Sequence, residues 1–223
     1  MKLVKTLVLG LLLTLSARSH AGWVIGYNGG YYPSFTNNLQ AHAQSFNLLS
    51  EASVPMKVNP FFRGITTGIR INLMDDFGFI AGTFTTRKLE TNWAKNSTSE
   101  EKWRVRSNYL TAEFGAGGEK LKGGASVDIG AVKFFSKRKD NQTNETTEWE
   151  LVYDGGGLFN GGLLSAGFSF FVEYRLTGNF YSRAFAMLPI GMSSISDAKT
   201  DFTYGYNTTH FGLSLYVDLF RQD

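Results

Sequence analysis

Strict alternation over its last dozen residues constrains this chain more than any other feature. From Thr209 to Phe220 an apolar row, Phe211, Leu213, Leu215, Val217 and Leu219, interleaves with His210, Gly212, Ser214, Tyr216 and Asp218. A period of two sends the two rows to opposite faces of a β-strand, so this strand separates two different media. Beyond residue 21 no apolar run approaches the roughly 20 residues that a membrane helix needs. Any passage of the mature chain through a bilayer must therefore be made by strands.

Seven further segments read as strands: Gly22 to Tyr32, Pro60 to Leu73, Phe77 to Glu90, Lys102 to Gly115, Gly123 to Ser136, Leu163 to Leu176 and Phe180 to Met192. The sixth has the clearest pattern, with Leu164, Ala166, Phe168, Phe170, Val172 and Tyr174 against Ser165, Gly167, Ser169, Phe171, Glu173 and Arg175. Alternation blurs in the fourth, which suggests a bulge or a change of face near Ser107. Connections are alternately short (Met74 to Asp76, Ala116 to Lys122, Thr177 to Asn179) and long (Pro33 to Asn59, Thr91 to Glu101, Lys137 to Gly162, Ser193 to Phe202). The expected fold is all-β: an eight-stranded antiparallel up-and-down transmembrane β-barrel with turns at one end and loops at the other. Thr147 to Asp154 could add a strand, but an odd count would leave an unpaired edge, so it is placed as an extension of the third loop.

Residues 1–21 read as a cleaved signal peptide, with Lys2 and Lys5 before an apolar run and Ser19-His20-Ala21 as the cleavage site, leaving residues 22–223 as the barrel domain. The excess of base belongs to that leader. Once Lys2, Lys5 and Arg18 leave, the 22 bases become 19 against 19 acids, and no basic helix supports a nucleic-acid partner. The absence of cysteine excludes disulfides, thiolate metal sites, a cysteine nucleophile and a lipoprotein anchor. No motif for a metal or cofactor appears.

Alternation does not say which face points out, since a soluble barrel shows the same period with its apolar row inside. Two features favour an apolar exterior in lipid. The polar rows are rich in Gly, Ser and Thr rather than the Lys and Glu of a soluble surface. Aromatic residues recur near strand ends, Trp23, Phe77, Phe79, Phe114, Tyr174, Phe180, Tyr181 and Phe220 at the turn side and Tyr31, Tyr32, Phe61, Trp103 and Phe135 at the loop side, as suits two membrane interfaces. The assembly signal His210, Gly212, Leu215, Val217 and Phe220 resembles the C-terminal signal of outer-membrane barrels. Together with the strand-turn-strand from Glu173 to Arg183, it makes the chain resemble the eight-stranded OmpA, OmpX and OmpW kind, although Arg221-Gln222-Asp223 follow the final aromatic residue. The resemblance implies a bacterial outer-membrane location with both termini periplasmic. It also implies outer-membrane lipid and lipopolysaccharide as partners, the barrel-assembly machinery during biogenesis, and a monomer.

Parity places Arg70, Glu113, Asp128, Glu173, Arg175, Arg183 and Asp218 in the lumen. Such buried opposite charges form either a salt-bridged plug or a selective pore, and the narrow interior of an eight-stranded barrel favours the plug. Catalysis of the lipid A-modifying type needs a nucleophile beside a base, but His210 and Ser214 lie about 13 Å apart along one strand. His42, near Gln44 and Ser45, sits in the first loop. At the loop-side rim Lys133, Lys137, Arg138 and Lys139 are candidate contacts for lipopolysaccharide phosphates, within a wider cluster of Arg87, Lys88, Lys95, Lys102, Arg104 and Arg106. Trp149 and Tyr153 are candidate exposed contacts for surface adhesion. The reading is a structural or surface-interacting protein rather than an enzyme, with a narrow channel and a lipid A-modifying enzyme as alternatives.

Overall fold

The computed structural model describes residues 20–73, 77–152, 163–193 and 209–219. Eight long strands, each turned back on its predecessor, form one closed sheet. They are β1 (His20–Tyr31), β2 (Phe61–Leu73), β3 (Gly78–Glu90), β5 (Ser99–Gly117), β6 (Leu121–Asp140), β8 (Leu163–Thr177), β9 (Phe180–Ser193) and β10 (His210–Asp218). Two-residue strands β4 (Ala94–Lys95) and β7 (Glu150–Leu151) add to the loop-side ends of β5 and β6. Every neighbouring pair in the ring is antiparallel, and β1 closes it by pairing with β10 from Val24–Asp218 to Tyr31–Phe211. Closure removes both free edges, which is the only way a sheet satisfies its backbone without water.

The period of two converts directly into an inside and an outside. On β10 the odd residues Phe211, Leu213 and Leu215 are exposed, Leu213 to 67%, while His210, Tyr216 and Asp218 are buried. The same holds around the wall: Ile25, Ile65, Ile69, Ile80, Leu110, Ile129, Phe168, Phe170, Val172 and Ile190 face out. Asn28, Arg70, Thr83, Glu113, Asp128, Ser169 and Glu173 face in. The apolar row is the outer one.

Several details differ from the sequence expectation. β5 has no bulge or change of face near Ser107: its register runs unbroken against β3 and against β6, and Val105, Ser107, Tyr109 and Glu113 are all buried in one phase. The blurred pattern arises because Arg104 and Arg106 occupy outward positions where apolar residues would mark the face. β5 and β6 also run longer than expected, so their hairpin rises beyond the wall, with Glu101 opposite Arg138 and Glu100 opposite Lys139. Irregular register appears instead between β8 and β9, where Ile190 is skipped beside Pro189, a residue that cannot donate to a ladder. β7 is consistent with a loop extension, pairing only with Phe135 and Ser136; the rest of that segment, from residue 153, lies outside the described residues. The short 74–76 turn also lies outside them. β1 begins at His20, so His20 and Ala21 of the expected cleavage site pair with Asn72 and Ile71.

The first loop contains a 17-residue helix, α1 (Pro33–Leu49). Pro33 opens it at a position where a missing N–H costs nothing, and no glycine interrupts the stretch. Leu39, Ala43 and Phe46 recur at helical spacing and pack with Tyr32, Met56, Val58, Phe62, Leu89, Val105 and Val132. This apolar cluster caps the loop end of the barrel.

Candidate functional site

The lumen is filled in three levels. At the turn side, Arg70 donates through Nη1 to Glu173 Oε1 and to the Tyr216 hydroxyl, both at 2.9 Å, and through Nε to Asn72 Oδ1 at 2.9 Å. Arg183 donates through Nη2 to the other Glu173 oxygen at 2.8 Å and through Nη1 to Glu113 Oε2 at 2.6 Å. Thr83 donates to the remaining Glu113 oxygen at 2.9 Å. Two guanidiniums and two carboxylates therefore form a neutral chain across the barrel from β2 to β8, β9 and β5. Aromatic faces complete their enclosure: Arg70 lies 3.7 Å over the Phe79 ring and Arg183 lies 4.1 Å over Phe171. Those two rings stack at 5.9 Å, and they have room because Gly115 and Gly124 face them; a Cβ at Gly124 would come within 2.2 Å of Phe171 Cζ.

The middle level is uncharged except for Asp128. It accepts from Thr111 at 2.7 Å, from Ser126 at 3.3 Å and from Ser169 through a short bond. Across the lumen Asn28 donates to Thr66, whose hydroxyl lies 2.9 Å from that of Thr85. A cavity of about 60 Å³ remains between these hydroxyls and the turn-side arginines, space for a few waters.

At the loop side Arg87 donates to His210 Nε2 at 2.6 Å. Arginine has only donors, so this nitrogen accepts and the imidazole proton sits on Nδ1. Tyr32, Phe62, Tyr109 and Phe185 surround the His210 ring, and Arg87 faces the Phe62, Tyr109 and Phe185 rings. Tyr32 ties to Ser107 at 3.1 Å. α1 lies above this level, and burial on the helix pushes the half-buried His42 imidazole below its usual range.

Of the expected lumen charges, the structure unites Arg70, Glu113, Glu173 and Arg183 in one chain. Asp128 sits apart in its cradle of hydroxyls, and Asp218 is buried against Gly22 at the turn end. Arg175 belongs elsewhere: it reaches the turn, donating to the Gly178 carbonyl at 2.6 Å and to Glu119 at 3.2 Å. Its place as the last inward position before the β8–β9 turn leaves it below the plug. Arg87, expected at the outer rim, instead points inward to His210, and sequence reasoning missed Lys122, also on inward parity, and the hydroxyl of Tyr216. It also placed Tyr32, Phe79 and Tyr181 at membrane interfaces, whereas all three are buried in the lumen. Parity alone would have revealed them, because each shares a row with buried polar neighbours.

The rim candidates separate. Lys133 pairs across the sheet with Arg106, Lys137 with Lys102, and Arg138 and Lys139 with Glu101 and Glu100 in the raised hairpin. Trp149 is not a free contact: its ring lies 3.8 Å from the Arg104 guanidinium, which also binds Glu90 at 2.7 Å. Tyr153 and Phe220 lie outside the described residues. Compared with models of known protein families and with curated proteins, the chain matches none.

Proposed function

We propose that this chain is an outer-membrane barrel protein of the bacterial envelope, with a sealed lumen, acting through its outer surface and loop-end cap. The observation that carries this reading is the inside-out polarity of the wall: apolar side chains outward, and an Arg70–Glu173–Arg183–Glu113 chain locked across the interior. A soluble barrel needs the reverse, an apolar interior and a charged exterior. The leader expected at residues 1–21 and the pattern of the closing strand support the location.

A channel would have to pass both the turn-side ion chain and the Arg87–His210 level, with the apolar cap of α1 above them. The interior therefore supports a plug over a conduit. His210 is committed to Arg87 and ringed by aromatics, and Ser214 opens on the mid-lumen cavity four residues along the same strand, an arrangement that favours packing over acyl transfer. The test combines fractionation with electrophysiology. A protein that extracts only with detergent, migrates differently before and after boiling, and is electrically silent in planar bilayers meets the proposal. Recovery as a soluble protein overturns the location, and a steady ion-selective current overturns the sealed lumen. A lipid A mass shift abolished by His210→Ala would replace the reading with an enzyme.

A further inference from the structure

The strand register assembles a feature that no local motif displays. Arg63 on β2 pairs with Lys88 on β3, Lys88 with Arg106 on β5, and Arg106 with Lys133 on β6. All four occupy outward positions. Neighbouring strands lie about 4.8 Å apart, so four cations follow one another over about 14 Å of the outer wall. Like charges placed directly opposite in a sheet destabilise it. Yet among the described residues none of the four has a carboxylate partner; Arg106 reaches only the Thr86 hydroxyl, at 3.3 Å. Glu90, two residues beyond Lys88 on the same face of β3, is already held by Lys102 at 2.8 Å and Arg104 at 2.7 Å.

The height of this row is as informative as its charge. Each cation stands above an outward stretch that is mostly apolar: Ile65, Ile69 and Ile71 under Arg63, Phe84 and Ile80 under Lys88, Leu110 and Phe114 under Arg106, Ile129 and Val127 under Lys133, with Phe61 and Phe135 continuing two of the columns beyond it. From Arg63 to Leu73 the strand takes ten residue-to-residue steps, which climb about 25 Å at a tilt of about 40°, the height of a lipid-facing apolar band. At the same tilt the row slopes by about 9 Å between Arg63 and Lys133, across the zone where lipid phosphates begin. Among the described residues the outward positions of β8, β9, β10 and β1 carry no charge. A groove of about 730 Å³ opens beside Arg63 and Lys88, where Lys57 adds charge, Lys102 is paired with Glu90, and Tyr27 and Phe61 add an apolar flank. That volume suits a sugar-sized head group.

We infer that the β2–β3–β5–β6 wall is a binding site for one phosphorylated, multiply acylated glycolipid of the outer leaflet, its phosphates on Arg63, Lys88, Arg106 and Lys133 and its chains against the columns below. This inference rests on the outer-membrane reading. It also moves the expected lipopolysaccharide contacts from the hairpin, where Arg138 and Lys139 face glutamates, to the row that includes Lys133.

The full-length protein in detergent micelles is titrated with bisphosphorylated lipid A, with its dephosphorylated form and with phosphatidylglycerol, and bound lipid is counted by native mass spectrometry. One lipid A is expected to bind, with at least tenfold weaker affinity for the Lys88→Gln/Arg106→Gln variant. Lys88→Arg/Arg106→Lys is expected to retain it, and Arg138→Gln/Lys139→Gln to leave it within twofold. Equal binding by the Lys88→Gln/Arg106→Gln variant, a comparable loss in the hairpin variant, or equal affinity for the dephosphorylated lipid each overturns the site. Equal affinity for phosphatidylglycerol overturns the glycolipid assignment. The boiling-dependent gel shift of every variant reports the barrel separately, and fractionation of the wild type reports the membrane reading, so failure of either is distinct from failure of the site.

Discussion

Glu173 is the side chain on which the sealed lumen most depends. It binds Arg70 and Arg183 with its two oxygens, at 2.9 and 2.8 Å, and its side chain and that of Arg70 are each only 1% exposed. Glu173→Ala leaves two guanidiniums facing the single carboxylate of Glu113, and Arg70 keeps only the neutral partners Asn72 and Tyr216. Breaking a buried pair in this way costs about 3–5 kcal/mol, because a charge stays behind without water or counter-charge. With a urea dependence of about 2 kcal/mol per molar, the midpoint of unfolding falls by about 2 M. Tryptophan fluorescence of the protein in short-chain lipid vesicles, titrated with urea in both directions, measures the shift. Glu173→Gln should cost less, since the amide keeps one acceptor oxygen. Arg70→Leu combined with Glu173→Leu should also cost less than Glu173→Ala, because Arg183 and Glu113 then remain a balanced pair. A loss below about 1 kcal/mol for Glu173→Ala is the value of a hydrated ion pair. It would mean that water reaches the arginines, and the sealed lumen would be refuted.

The remaining expectations concern the support of that plug and its cap. Gly124→Val drives a side chain into the Phe171 ring that covers Arg183, and should destabilise the barrel by about 1–3 kcal/mol in the same urea assay. Leu39→Ala empties part of the cap and should weaken helix docking by about 2–5 kcal/mol, read as faster proteolysis of the first loop with the boiling-dependent gel shift unchanged. His42 supplies a pH test. Docking holds its imidazole below the ordinary value of 6.5, so the undocked helix binds the proton more readily. Docking is thus fully favoured above pH 6.5 and weakens as the pH falls through the lowered value. Hydrogen exchange on α1 should accelerate on acidification from pH 7 to 5, and His42→Gln should remove that dependence; acceleration on raising the pH would contradict the sign.

The cap was also legible in part. Pro33 at a helix start, a glycine-free run to Leu49, and Leu39, Ala43 and Phe46 at helical spacing are local signals, masked by the expectation that a long connection in a barrel is irregular. The lumen parity of Arg70, Glu113, Asp128, Glu173, Arg183 and Asp218 was readable from alternation, and so was the inward direction of Phe79 and Tyr181. What alternation did not carry was partnership. Arg70 and Glu173 stand 103 positions apart, and their contact depends on the stagger accumulated around a closed ring, not on either strand.

A period of two is a property of each strand taken alone, so the one-dimensional pattern was sufficient for eight strands, for the parity of all but the one that Arg104 and Arg106 blur, and for the division into a turn end and a loop end. Two faces of different polarity were implied as well. The direction of those faces was favoured by the Gly, Ser and Thr of the polar rows, whereas the union of four lumen charges and the alignment of Arg63, Lys88, Arg106 and Lys133 required the closed sheet. Register is set by hydrogen bonds between segments far apart in sequence, and only those bonds decide which side chains stand beside one another on the wall.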